Sequence, residues 1–263
     1  MENRNENMDV HRNGMRDRIQ KYNVKNITGL AAYTTVADKA AFTLAETLIT
    51  LGIIGVVAAM TIPNLITEHQ KRATVTKLQR AISVLNQAYR LAYDDVGEAN
   101  AEEAFNMGSE EYFNTYWAPY IKVLTYCSSY DVCGYDSNKP FHYPDGNSES
   151  FNFVYEGYST TFFTADGFLY IIRTGGSNPI KENREIVVDI NGSAGPNQYG
   201  RDVFWLYRLD NDDGGSIVPY GYSYTDTACN SNCSTKNNSG MSGRCCTEKI
   251  RRAGWKIEKD YPW

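Results

Sequence analysis

The stretch from Phe42 to Ile66, FTLAETLITLGIIGVVAAMTIPNLI, constrains this chain more than any other. From Thr47 to Thr67 it carries no charged side chain over 21 residues. As an α-helix such a run rises about 31 Å at about 1.5 Å per residue, which matches a bilayer hydrocarbon core of about 30 Å. Residues 42–66 are therefore expected to form a membrane-spanning helix. The run is longer than the apolar part of a secretory signal, and the small residues suited to cleavage lie before it, not after it. Glu46 is the single charge just inside its N-terminal edge, and Lys39, Ala40 and Ala41 precede it.

That edge carries a specific pattern. A-F-T-L-x-E, from Ala41 to Glu46, followed by about twenty apolar residues, resembles the processing signal of type IV pilins and of the pseudopilins of type II secretion. In that family a prepilin peptidase cuts before the Phe on the cytoplasmic side and methylates the new amino group. The resemblance implies cleavage between Ala41 and Phe42, N-methylation of Phe42 and an assembly role for Glu46. Gly55 and Pro63 also fall where many pilins carry a Gly and a Pro, which adds Pro63 to the assembly residues. Ala41 stands where the family usually has Gly, and a leader of 41 residues is long, with Met8 and Met15 as alternative starts.

The implied protein is a structural subunit, not an enzyme. It would wait in the bacterial inner membrane as a single-pass protein with its N-terminus cytoplasmic and its globular domain extracytoplasmic, then polymerise into a pilus or pseudopilus. Its implied partners are other pilin or pseudopilin subunits, the prepilin peptidase, an inner-membrane assembly platform and, before assembly, the membrane. A second reading is a minor pilin-like tip protein that captures an exported protein, DNA or a surface. A third is a domain that stays anchored and never polymerises. The expected fold is α+β and pilin-like: a long N-terminal helix packed on an antiparallel β-sheet, with disulfide-bonded loops. The chain divides into a leader (1–41), a membrane or filament-core helix (42–66), the amphipathic half of the same helix (67–95) and a globular domain (96–263).

Charge and cysteine placement bear on the compartment. The chain carries −5 overall; the part after position 41 carries −7, because the leader is basic by two. An acidic chain is a poor candidate for general nucleic-acid binding, which needs basic side chains against phosphate. All six cysteines, Cys127, Cys133, Cys229, Cys233, Cys245 and Cys246, follow the span. An even number on one side points to an oxidising compartment and disulfides, with fifteen pairings open. Basic residues are less informative. Lys25 and Lys39 precede the span, yet Lys71, Arg72, Lys77 and Arg80 follow it, which by the positive-inside rule alone leaves the orientation doubtful or reversed. The processing signal and the cysteines favour a cytoplasmic N-terminus.

Beyond Pro63 the helical pattern resumes. Val75, Leu78, Ile82, Leu85, Tyr89 and Ala92 recur at intervals of three and four, one apolar stripe that needs a partner. Pro63 removes a backbone donor and is expected to kink or weaken the junction. Val96 to Gly108 reads as a loop. Ser109-Glu110-Glu111 reads as a helix start with Tyr112, Phe113, Tyr116 and Trp117 on its apolar face. Strands are expected at FNFVYE (151–156), at the hairpin TTFFT and FLYIIR around Asp166-Gly167, at EIVVDI (185–190) and at DVFWLYRL (202–209). Asn211 to Asn238 reads as a long polar loop, and Cys245 to Ala253 as a short helix stopped by Gly254.

Candidate chemistry is sparse. His11, His69 and His142 lie in unrelated segments, and no serine-hydrolase, zinc-protease or phosphate-loop motif is present. A Cys127–His142 nucleophile is outweighed by a Cys127–Cys133 disulfide loop. Four thiolates at 229, 233, 245 and 246 suit zinc by number, but the adjacent pair is awkward for one ion and disulfides are favoured. Asp189, Asn191 and Asp202 offer oxygen ligands that suit calcium, which some pseudopilins bind in C-terminal loops; Asn191-Gly192 equally suits a plain turn. No other cofactor is expected. The basic tail with Arg244, Lys249, Arg251, Arg252, Lys256 and Lys259 reads as a solvated helix face.

Overall fold

A computed structural model describes residues 43–97, 101–149, 154, 158–174, 184–210, 215–236 and 240–263. The leader, the Ala41–Phe42 junction and most of the strand expected at 151–156 lie outside the described residues. The chain separates into two compact units at Gly52. Within the described residues the first contributes only the start of the long helix, and Ile53–Trp263 contains everything else.

Helix α1 spans Leu44–Val96, 53 residues with Pro63 inside it. Its sequence stripe becomes its buried face: Val75, Leu78, Ala81, Leu85, Ala88, Tyr89 and Ala92 are buried, while Lys77, Arg80 and Arg90 stay exposed. Helix α2 spans Ala101–Tyr116 and is interrupted at Gly108 (φ 79°, ψ 169°). The expected start at Ser109 is thus the start of its second segment. The loop expected over 96–108 is corrected, since 101–107 is already helical and Ala104 is fully buried. A left-handed glycine resets the helix direction there, at a conformation a side chain would resist.

The partner of the α1 stripe is a six-stranded antiparallel sheet in simple sequential order. Its strands are β1 (Val123–Tyr126), β2 (Ser159–Thr164), β3 (Leu169–Arg173), β4 (Glu185–Asp189), β5 (Val203–Leu209) and β6 (Ser216–Pro219). Alternate residues serve opposite faces. Phe162, Tyr170, Ile172, Ile186, Val188, Phe204 and Leu206 join the α1 stripe and the α2 aromatics in one core. Leu169, Ile171, Val187, Val203 and Trp205 form a second core with Tyr130, Tyr135, Phe141 and Tyr199. With both faces covered, β3 and β4 are buried at every position.

Helix α3 (Asp226–Asn232) and helix α4 (Cys246–Arg252) complete the chain. The polar loop expected over 211–238 is corrected too, because it holds both β6 and α3. Strand β6 has a specific anchor. The Ile217 N–H donates to Asn86 Oδ1 and the Asn86 side-chain amide donates to the Ile217 carbonyl, each at 2.9 Å. A side-chain amide on α1 thereby imitates one more strand on this sheet edge.

Replacing Asn86 with Ala removes both bonds and leaves a half-buried N–H and C=O unpaired, at roughly 1–3 kcal/mol for each group so stranded. Urea denaturation of Asn86→Ala should show a loss on the order of 2 kcal/mol or more. Gln87→Ala, one residue away and exposed, should stay within about 0.5 kcal/mol of the parent.

Candidate functional site

The start of α1 is a reciprocal cap. The Thr43 backbone N–H donates to Glu46 Oε2 at 2.8 Å and the Thr43 hydroxyl donates to the same oxygen at 3.1 Å. The Glu46 N–H donates back to Thr43 Oγ1 at 3.2 Å. This is the Thr-x-x-Glu capping box, whose signature is legible in T-L-A-E and gives Glu46 a local role beside the one the resemblance implies. Downstream, the polar side chains within the uncharged run bond to their own helix. Thr50 donates to the Glu46 carbonyl (2.7 Å), Thr61 to that of Val57 (2.9 Å) and Thr67 to that of Pro63 (3.0 Å). Such back-bonding removes hydroxyl donors that an apolar surrounding would leave unsatisfied.

Around these hydroxyls the surface is bare and apolar. Leu44, Leu48, Leu51, Ile54, Met60 and Leu65 are each 61–78 % exposed. The helix is long and apolar enough to cross a membrane, and its most apolar window is unburied. Exposure on this scale exceeds what monomeric soluble proteins carry and marks a membrane or protein-binding surface. Pro63 sits inside the unbroken helix, and residues 41 and 42 lie outside the described residues.

The cysteines form three disulfides: Cys127–Cys133, Cys229–Cys245 and Cys233–Cys246. No cysteine is free, so neither a zinc site nor a Cys127 nucleophile has its thiolate. The pairing follows helix geometry. Cys229 and Cys233 are four residues apart and share a face at the end of α3. Cys245 and Cys246, adjacent at the start of α4, point in directions about 100° apart and reach one partner each. Glycines make room for the sulfurs. A Cβ on Gly200 (φ +84°) would stand 2.8 Å from Cys246 Sγ, and one on Gly221 (φ +85°) would stand 3.1 Å from Cys229 Sγ.

Ionic contacts tie this disulfide cap down, and they correct the reading of the basic tail as a solvated face for Arg244, Lys249, Arg251 and Arg252, while Lys256 and Lys259 are exposed as expected. Arg251 and Arg252 both reach the buried Glu248 at 2.7 Å, and Lys249 reaches Asp260 at 2.8 Å. Arg244 pairs with Glu185 at 3.3 Å and lies 4.0 Å from the Trp205 ring centroid, fixing the cap to β4 and β5. Glu185 also pairs with Arg173.

The three calcium candidates do come together, beside the turn after β4. Asp189 accepts from the Tyr135 hydroxyl (2.9 Å) and the Asn191 N–H (3.1 Å). Asp202 accepts from the N–H groups of Asn197 (2.9 Å) and Gln198 (2.6 Å), and the Asn191 side-chain amide donates to the Ala194 carbonyl. Burial raises both carboxyl pKa values, and the charge of Asp202 adds to the rise at Asp189. Calcium takes six to eight oxygens, whereas these carboxylate oxygens already serve the turn. Among the described residues no group of three or more His, Cys, Asp or Glu is placed to hold a metal ion.

A profile described as a family of unknown function, DUF6613, matches residues 64–263. The chain belongs to the DUF6613 family. The match begins one residue after Pro63, so the A-F-T-L-x-E segment of this DUF6613 protein lies outside it. Nothing among curated proteins and nothing among solved structures matches the chain.

Electrostatics give the DUF6613 domain a defined pH response. Glu149 is 1 % exposed and accepts from the Tyr199 hydroxyl. Burial pushes its pKa from 4.5 up to about 8, against the opposing pull of Arg244 and the Tyr143 hydroxyl. The folded value lies above the unfolded one, so the stability it contributes is complete below about 4.5 and is lost as pH rises through about 8. Unfolding free energy should therefore fall from pH 5 to pH 9. Glu149→Gln, which cannot ionise, should remove on the order of 2–4 kcal/mol of that fall. An unchanged slope in Glu149→Gln would assign the pH response to other groups.

Proposed function

We propose that this chain is a structural subunit of a type IV pilus or type II secretion pseudopilus, cut by a prepilin peptidase and polymerised through α1. One observation carries the reading. The sequence A-F-T-L-x-E runs, from Thr43 on, into a capped helix whose following uncharged run is exposed and whose hydroxyls bond to its own carbonyls. A generic anchor explains the run but not the pattern before it. In the proposed sequence of events the precursor sits in the bacterial inner membrane with residues 1–41 cytoplasmic. Cleavage then frees the Phe42 amino group, and the disulfide-bonded α+β domain covers the filament surface. The three disulfides accord with an extracytoplasmic domain.

Intact-mass and N-terminal peptide analysis of the membrane-isolated protein should find a chain beginning at N-methyl-Phe42. A chain that still carries Lys39, or one cut after the apolar run, overturns the reading. Glu46 separates the assembly role from the cap. Losing the cap costs about 1 kcal/mol, whereas a carboxylate entering a filament core needs a cationic partner, and the Phe42 amine of a neighbouring copy is the available one. Glu46→Ala should insert and fold yet give few filaments. Thr43→Ala, which removes the cap hydroxyl and keeps the carboxylate, should assemble nearer to the parent. Equal filament yield from the two variants would assign Glu46 to the helix start alone.

A further inference from the structure

The basic residues after the apolar run are what the orientation of the span leaves unexplained. Two of the four are engaged locally: Lys71 with Glu68 at 3.0 Å and Arg80 with Asp166 at 3.3 Å. Arg72 and Lys77 are exposed, and at 3.6 residues per turn they stand about 140° apart around the helix. Lys77 and Gln70 line one wall of a recess whose other wall includes Arg201 and Trp263. The Arg201 guanidinium lies 5.7 Å from the Trp263 ring centroid. The turn after β4 and the C-terminal tail thus meet α1 next to the end of the uncharged run.

Distance gives this cluster a depth. Gln70 lies three residues past Thr67 and Lys77 ten, or about 4.5 and 15 Å along the helix. A headgroup layer extends roughly 5–8 Å beyond the hydrocarbon on each side. Arg72 falls within that layer, and the long Lys77 side chain can extend its ammonium towards it. Tryptophan is enriched at this same boundary.

We infer that Arg72, Lys77 and Arg201, with Trp263, form a collar that docks the domain onto anionic phospholipid headgroups. Charge complementarity favours this occupant, because the exposed Arg72 and Lys77 and the half-buried Arg201 outnumber the one carboxylate that lines the recess, Asp202, on a chain that is otherwise acidic. So does their placement. Cations spread around a helix meet a headgroup layer on every side, whereas a protein docked on one face would reach only some of them. The collar rests on the reading of α1 as a membrane span. It also accounts for the basic residues that follow the span: they hold the domain against the surface it emerges from.

The test uses the full chain reconstituted into phosphatidylcholine vesicles with and without phosphatidylglycerol. Flotation after alkaline carbonate washing reports the span. Quenching of tryptophan fluorescence by a headgroup-level spin-labelled lipid, taken as the difference between the parent and Trp263→Phe, reports the collar. Each base near an anionic surface raises the docked population by about fivefold. Trp263 quenching should therefore be strong with phosphatidylglycerol and weak without it. It should fall towards the phosphatidylcholine level in high salt and in Arg72→Gln/Lys77→Gln. Release of the chain by carbonate would overturn the span, and the collar with it. A retained chain whose Trp263 quenching ignores lipid charge would overturn the collar and leave the span standing. Shielding of Trp263 that follows protein density rather than lipid charge would assign the surface to a second copy of the chain and also overturn the proposal.

Discussion

Burial of the α1 stripe against one face of the sheet is the contact on which the rest of the domain depends. Seven buried positions from Val75 to Ala92 meet Phe162, Tyr170, Ile186, Val188, Phe204 and Leu206. Isolated strands of four to seven residues are marginal in water until an apolar face is covered. The helix supplies that cover and also completes the sheet at its edge through Asn86. Arg208 of β5 reinforces the joint. It lies 5.8 Å from the Tyr89 ring on α1 and 5.7 Å from the Tyr112 ring on α2, and its charge is balanced by Asp210 at 3.0 Å. A cation buried to this degree is tolerable only with such partners, so it fixes both helices to one strand.

The second sheet face is organised differently. Among the described residues its cover is mostly irregular chain with one short 3-10 turn at Asp131–Cys133, and irregular chain must satisfy its own polar groups before it can lie over a core. The 127–149 segment does so with the Cys127–Cys133 bond, with aromatic rings packed edge to face such as Tyr130 on Phe141, and with Tyr135 donating to Asp189. The buried carboxyls Glu149, Asp189 and Asp202 belong to this solution. Each receives donors from turns or tyrosines in place of water, and each has its pKa raised by burial. Asp189 and Asp202, two of the three residues read as cation ligands, thus also serve the turns that cover this sheet face.

What the sequence made legible follows from the strength of the local signal. The α1 stripe, the β2–β3 hairpin around Asp166-Gly167 and the apolar strands β4 and β5 repeat a period long enough to be read. Strand β1 is four residues with Leu124 and Tyr126 exposed, so it shows no alternation. Strand β6 is held by a side chain 131 positions earlier, and no local window contains that contact. Helix α3 is seven residues, short enough to be marginal by itself. It persists because Thr225 caps it, accepting from the Ala228 N–H at 3.2 Å, and because two disulfides bind its face to α4. The cysteine pairing was open for the same reason, since it depends on a helix that propensity alone does not specify.

Glu46 shows how one residue can satisfy a local rule and still leave a demand outside the chain. Both bonds from Thr43 fall on Oε2, so the cap secures one carboxylate oxygen and leaves the other to its surroundings. In water that costs nothing. At a membrane interface headgroups and water still reach it, and a charge there is cheaper than at the bilayer centre. In a filament core neither remains, and an ionised carboxylate with a free oxygen becomes expensive unless a cation meets it. Under the proposed function, the cap makes Glu46 tolerable in a waiting monomer without making it neutral in an assembled one, and that remaining demand selects for a neighbouring chain that presents a positive N-terminus.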